Sequence, residues 1–172
     1  NTNVENSTVS GTTCSGSCSS HGYGIYVSGT SAFIYNNTIS NNSYSGIYAY
    51  GSTSSKYINN KVVDNNGDGI KLYYYWGGNS GSVINNQILR NEKSGLYFSS
   101  VDVNKIENNT IKNNDEYGVV FSGSVQNYLW NNTILLNEDL DIVLALSSDN
   151  NYAINTVFST ISVDSDSSLI LK

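Results

Sequence analysis

A pair of asparagines recurs along the chain at nearly constant spacing, and no other feature constrains the fold as strongly. The second residue of each pair falls at Asn37, Asn60, Asn86, Asn109 and Asn132, with spacings of 23, 26, 23 and 23 residues, and Ser7 and Asn155 extend the series. An apolar β-branched residue follows two places later, at Val9, Ile39, Val62, Ile88, Ile111, Ile134 and Val157. A second apolar column precedes the pair, at Val4, Ile34, Tyr57, Val83, Ile106, Leu129 and Tyr152. Two more follow a glycine in GIYV, GIYAY, GIKLY, GLYFS and GVVFS. They run Ile25, Ile47, Ile70, Leu96, Val119, Ile142 and Val27, Ala49, Leu72, Phe98, Phe121, Leu144. Alternation over short β-rich runs bounded by Gly, Asn and Ser predicts about three strands per repeat and leaves no room for a helix.

One such unit cannot bury its own apolar face, whereas stacked copies turn each column into a continuous core and let each strand pair with its equivalents above and below. The expectation is an all-β parallel solenoid of about seven rungs of 23 residues, with little or no helix, as one domain over residues 1–172. Asparagine suits its corners because it tolerates left-handed backbone and because inward amides in register bond from rung to rung. Gly24, Gly46, Gly69, Gly95 and Gly118 mark a second corner. With 27 Asn, 28 Ser and no Pro the chain is unlike an ordinary helical protein, and its 38% hydrophobic content argues against disorder. A formal charge of −6 with 8 Lys+Arg excludes the dense basic patch of a nucleic-acid partner. No apolar run approaches the roughly 20 residues of a membrane span. No signal peptide is visible, which fits a mature or excised segment.

Stretches such as KIENNTIKNN and YSGIYAY make the chain resemble the right-handed parallel β-helix repeat proteins of the pectate-lyase-like superfamily, in particular the Asn-rich type of microbial cell surfaces. The resemblance covers nearly the whole chain and implies the right-handed sense. It says little of function, because the scaffold hosts lyases, hydrolases, epimerases, adhesins and inert spacers.

Departures from the repeat are where function is added. The first rung carries about eight extra residues between Gly11 and Gly22, the third carries three around Tyr75 to Gly78, and the seventh is about four short before Ile161. The first insertion holds both cysteines. A Cys14 to Cys18 disulfide clipping a surface loop suits an oxidising exterior, and the sharper alternative adds His21 as a third ligand for copper or zinc, with no fourth ligand evident. Lyases of the fold use clustered Asp for calcium and a Lys or Arg to take the proton beside a uronate carboxylate. The nearest equivalent here is Asp64 and Arg90 on adjacent rungs with Asp68, Lys71 and Lys93 nearby, against the plainer alternative of a solvated ion-pair patch. No cofactor is called for.

Between the two alternating core columns lies an outward one that carries Tyr26, Tyr48, Lys71 and Tyr97, and two residues further along the strands come Tyr50 and Tyr73. An exposed tyrosine stripe is therefore expected, with Tyr74, Tyr75 and Trp76 of the third-rung insertion beside it. Such a stripe stacks on sugar rings or packs against protein, or is simple cross-strand pairing. Five sequons start at Asn6, Asn36, Asn41, Asn108 and Asn131. If the column of the other four is the amide ladder, Asn41 is the expected glycosylation site. Val4, Leu169 and Leu171 place both ends of the chain at the same phase of the coil. This predicts head-to-tail stacking with a second copy, or flanking domains as partners. Constant turn lengths favour a non-catalytic extracellular or cell-surface structural module. The alternative is a polysaccharide-acting enzyme of lyase type or a carbohydrate-binding module.

Overall fold

Each repeat forms one coil of three short strands separated by tight corners. The first coil is β1 (Thr2–Glu5), β2 (Thr8–Ser10) and β3 (Ile25–Ser28), and the second is β4 (Ala32–Tyr35), β5 (Thr38–Ser40) and β6 (Ile47–Tyr50). The third is β7 (Lys56–Ile58), β8 (Lys61–Val63) and β9 (Ile70–Gly78), and the fourth β10 (Ser82–Ile84), β11 (Gln87–Leu89) and β12 (Leu96–Val101). The fifth is β13 (Lys105–Glu107), β14 (Thr110–Lys112) and β15 (Tyr117–Ser122), and the sixth β16 (Tyr128–Trp130), β17 (Thr133–Leu135) and β18 (Leu140–Ala145). Then come β19 (Asn151–Ile154), β20 (Ile161–Val163) and β21 (Leu169–Leu171). This computed structural model describes residues 2–14, 22–29, 31–78, 81–102 and 104–172, and for residues 76–78 the backbone alone. No helix occurs among them.

The strands form three parallel sheets, with β1-β4-β7-β10-β13-β16-β19-β21 in the first, β2-β5-β8-β11-β14-β17 in the second and β3-β6-β9-β12-β15-β18-β20 in the third. The register follows the repeat, so Ile88 lies over Ile111 and Leu96 over Val119. Both members of each pair are fully buried. Six coils are complete, rather than the seven expected. In the seventh, the second sheet is reduced to a single bridge between Thr133 and Val157.

One extra residue before β19 explains two corrections there. Leu129 pairs with Ala153, not Tyr152, so Ala153 takes the core position and the Tyr152 ring stacks on Tyr128 outside, at 4.8 Å and 5°. Likewise Phe158 packs against the core, while Val157 is exposed. Ile161 and Val163 hold their expected register on Ile142 and Leu144, but as an end rung they are exposed.

The asparagine pair splits its two roles between adjacent residues. The first member bends the chain: Asn36, Asn59, Asn85, Asn108 and Asn131 all have φ between 54 and 57°. The second points inward. Asn86 donates from Nδ2 to Asn109 Oδ1 at 3.0 Å and to Tyr57 O at 2.9 Å, while its own Oδ1 accepts from the Asn60 N–H at 2.8 Å. Two more ladders, outside that column of pairs, run through Asn42, Asn65, Asn91, Asn114 and Asn137, and through Asn104, Asn127 and Asn151. These amides are buried and satisfied, as low dielectric requires.

The glycine column has a different cause from the one expected. Gly24, Gly46, Gly69, Gly95 and Gly118 do not have positive φ. They are required by close approach, since a Cβ on Gly95 would lie 2.4 Å from Ile111 Cγ2 and 2.8 Å from Gly118 O. On the sixth coil Asp141 follows in this column. Its carboxylate ends the second ladder, accepting Asn137 Nδ2 at 3.0 Å and the Ser159 N–H at 2.8 Å. Burial works to raise its pKa, but the hydrogen bonds from Ser159 and Asn137 outweigh it and hold the carboxyl below the usual range.

Candidate functional site

The third sheet carries the outward column Tyr26, Tyr48, Lys71 and Tyr97 in register, with Tyr50 beside Tyr73 two residues along. The rings are not a row of free faces. Tyr50 and Tyr73 stack at 5.7 Å and 9°, Tyr26 lies 5.7 Å from Tyr48, and the Lys71 ammonium sits over Tyr97 at 4.6 Å. Rungs about 4.8 Å apart bring equivalent rings into contact, so a ligand meets mainly their edges and hydroxyls. Tyr74 departs from the expectation. The alternation of β9 turns it inward, where it packs against the core. Trp76 lies in β9, but its side chain falls outside the described part.

Where this sheet begins, the column meets the corner leading out of the second sheet and encloses a groove of ≈ 450 Å³. Tyr23, Tyr44 and Tyr48 line one side, and Asp68, Lys71, Glu92 and Lys93 the other. Tyr23 stacks on Tyr48 at 4.8 Å and meets Tyr44 edge-on at 5.3 Å. Tyr23, Tyr44 and Glu92 were absent from the sequence reading. The signal available was position, since both tyrosines stand within two residues before a column glycine.

Asp68 is the unusual member, at 4% exposure. Its Oδ1 accepts the Ser94 N–H at 3.3 Å and its Oδ2 lies 3.6 Å from Lys71 Nζ. Burial pushes the carboxyl up, and Lys71, the Ser94 N–H and Lys93 only partly oppose this. Burial, with the neighbouring Tyr23, Tyr26, Tyr73 and Tyr50, pushes the Tyr48 hydroxyl up to about 12. The groove therefore combines tyrosine hydroxyls and two lysines, of which Lys71 is held between Asp68 and Tyr97, with the carboxyl groups of Asp68 and Glu92. That set donates hydrogen bonds to hydroxyl- and carboxylate-bearing ligands.

The five charged residues singled out by offset do not form one cluster. Asp64 and Arg90 do pair across adjacent rungs, with two bonds of 2.7 and 2.9 Å, but on exposed corners and outside the groove. Only Asp68, Lys71 and Lys93 enter it. No group of three metal-ligating side chains occurs among the described residues. No described cysteine is free, Cys18 and His21 lie outside the described residues, and the Cys14 to Cys18 pairing stays an expectation.

The sequon asparagines are corrected. Asn36, Asn108 and Asn131 are the exposed, bent first members of their pairs, with the buried ladder residue as their neighbour, and Asn6, equally bent and exposed, precedes the exposed Ser7. The premise that singled out Asn41, itself exposed, falls away, and all five stand at accessible corners. At the ends of the described coil Val4 and Leu169 pack against the core, and Leu171 is 63% exposed in the column of Ala153. No described helix is long and apolar enough to cross a membrane.

A parallel solenoid with an outward aromatic and charged groove defines the class, and comparison with known proteins gives the family. Residues 1–158 match the sequence model of the right handed beta helix region, and the chain belongs to that family. Among solved structures it is similar to the A-module of the Azotobacter vinelandii mannuronan C-5 epimerase AlgE4, with TM-score 0.71 and 13% identity over 98% of this chain and 53% of that one. It is also similar to two mutant forms of the periplasmic alginate epimerase AlgG. One aligns with TM-score 0.69 and 16% identity over 87% of this chain and 46% of that one. The other aligns with TM-score 0.67 and 25% identity over 73% of this chain and 30% of that one. The chain thus spans about half or less of the length of these proteins. No curated protein matches the sequence.

Proposed function

We propose that this chain is the polysaccharide-engaging part of a carbohydrate-acting β-helix protein that works outside the cytoplasm, and that its groove takes a carboxylate-bearing polysaccharide. The observation that carries the reading is the groove itself, where Lys71 and Lys93, with Asp68 and Glu92 beside them, face Tyr23, Tyr44 and Tyr48. Ammonium groups pair with uronate carboxylates, tyrosine hydroxyls bond to sugar hydroxyls, and ring edges pack on apolar sugar faces. The similarity to alginate epimerases supports a carbohydrate role over an inert structural one, and the periplasmic origin of AlgG supports the location.

Affinity electrophoresis through alginate tests it. Retardation that weakens with Lys71→Ala and Tyr48→Ala is expected, with neutral glucan as the control. Equal mobility with and without alginate would remove the proposal. Proton NMR of the incubated polymer reads any change in uronate composition or any unsaturated product.

Head-to-tail stacking is the second reading, favoured by the exposed edge strand β20 and by Leu171. Electron microscopy should then show unbranched fibres that Leu171→Lys dissolves, and particles that stay single at high concentration would refute it.

A further inference from the structure

Tyr75 is the one described tyrosine of the stripe whose ring breaks the rung-to-rung stacking. It stands perpendicular to both Tyr50 and Tyr73, at 89° and 84°, with centroids 5.9 and 5.6 Å away, while those two lie 5.7 Å apart. The three centroids make a nearly equilateral triangle. A ring at right angles to a stacked pair and about equally close to both makes the T-shaped contact favoured by the ring quadrupoles. The residue is 65% exposed.

The backbone explains why. The register of β9 against β12 runs evenly to Tyr73 opposite Ser99 and resumes only at Gly78 opposite Val101. The three extra residues of this rung form a bulge, and a bulge re-aims the side chains it carries. Elsewhere in the stripe the faces are taken by equivalents one rung away. The bulge has none.

We propose that the exposed ring of Tyr75 is a second sugar subsite, stacking one pyranose ring of the same acidic polysaccharide whose carboxylates meet Lys71 and Lys93. The inference rests on the polysaccharide reading above and adds a direction. Lys71 and Tyr75 lie on one strand, four residues apart, at most roughly 13 Å of extended chain, which is on the order of three sugar units. The polysaccharide then runs along β9, parallel to the rungs, from the charged groove to the Tyr75 ring. Tyr50 and Tyr73 pack against the Tyr75 ring.

Length-resolved binding tests this. Isothermal titration with a uronate disaccharide and a uronate hexasaccharide should show the hexasaccharide binding more tightly to the unaltered protein. Tyr75→Ala should cost the hexasaccharide roughly three- to tenfold in affinity, in line with the loss of one ring-stacking contact, and leave the disaccharide unchanged. Tyr75→Phe should keep the affinity, because the face and not the hydroxyl is used. Lys71→Ala should weaken both ligands. If the unaltered protein binds the hexasaccharide and Tyr75→Ala binds it equally well, the subsite is wrong while the groove stands. If the unaltered protein binds neither, the groove reading and the subsite fall together. Tyr75 is a surface residue, so circular dichroism of the variant should match the parent.

Discussion

Replacing Asn86 by alanine tests whether the inward amides hold the coils together. In the structure Asn86 Oδ1 accepts from the Asn60 N–H at 2.8 Å and from Asn60 Nδ2 at 3.1 Å. Its Nδ2 donates to Tyr57 O at 2.9 Å, Ile84 O at 3.1 Å and Asn109 Oδ1 at 3.0 Å. Alanine removes all five contacts in a site 1% exposed, where water cannot take over. The Asn60 N–H loses its acceptor and the Tyr57 carbonyl a donor. A buried polar group left without its partner costs about 1–3 kcal/mol, so the pair of them amounts to about 2–6 kcal/mol. Set against the 5–15 kcal/mol typical of a domain, that is a large fraction. The neighbouring Asn85 gives the control, because it is exposed, has φ 57° and is replaceable by glycine, which accepts that backbone region at little cost. Urea unfolding followed by far-UV circular dichroism should show the large loss for Asn86→Ala and a change within about 0.5 kcal/mol for Asn85→Gly. Stability in a solenoid is largely a sum over neighbouring coils, so hydrogen exchange should accelerate first in β7 and β10 and spread less to β16. Equal midpoints for the two variants would refute the ladder argument.

Gly95→Ala forces a Cβ to 2.4 Å from Ile111 Cγ2 and should cost about 3 kcal/mol in the same assay; a neutral result would mean that the coils slide apart freely. Leu136 is 72% exposed with φ 61°, in a corner column otherwise held by Asn41, Asp64, Arg90 and Asn113, so Leu136→Asn should raise stability by about 1 kcal/mol on thermal melting. The depressed Asp141 carboxyl contributes stability above the unfolded carboxyl range, and that contribution is lost as pH falls through the folded value. Asp141→Asn should therefore flatten the acid side of the stability profile, and an unchanged acid limb would refute the role of the carboxylate.

Much of the fold was legible because a solenoid is a one-dimensional object. Once the Asn pair gives the period, residue i lies over its equivalent one repeat on, and both sheet register and core columns follow from counting, as with Ile88 over Ile111. Counting fails where the period slips by one. A single extra residue before β19 moved Ala153 into the place of Tyr152, and both residues are apolar enough for either pattern. The second and third ladders were missed for another reason. Their asparagines keep no constant dipeptide: Asn42, Asn114 and Asn151 are second in an Asn-Asn pair, Asn65 is first in one, and Asn91, Asn104, Asn127 and Asn137 have no Asn neighbour.

The site was less legible. The outward tyrosine column and the Lys71 position followed from alternation, but the groove depends on how a corner of one rung bends over the next. How the Tyr75 ring stands and whether Asp68 is buried are set by a three-residue bulge and by side-chain packing, neither of which has a period. The sequence alone determined the repeat, the strand content, the core columns and the family resemblance, because each is a property that recurs every coil. Tertiary structure decided which charges share a groove, which ring faces stay free and why the column glycines cannot carry a Cβ. Those depend on distances of a few ångströms between coils, and spacing along the chain does not encode them.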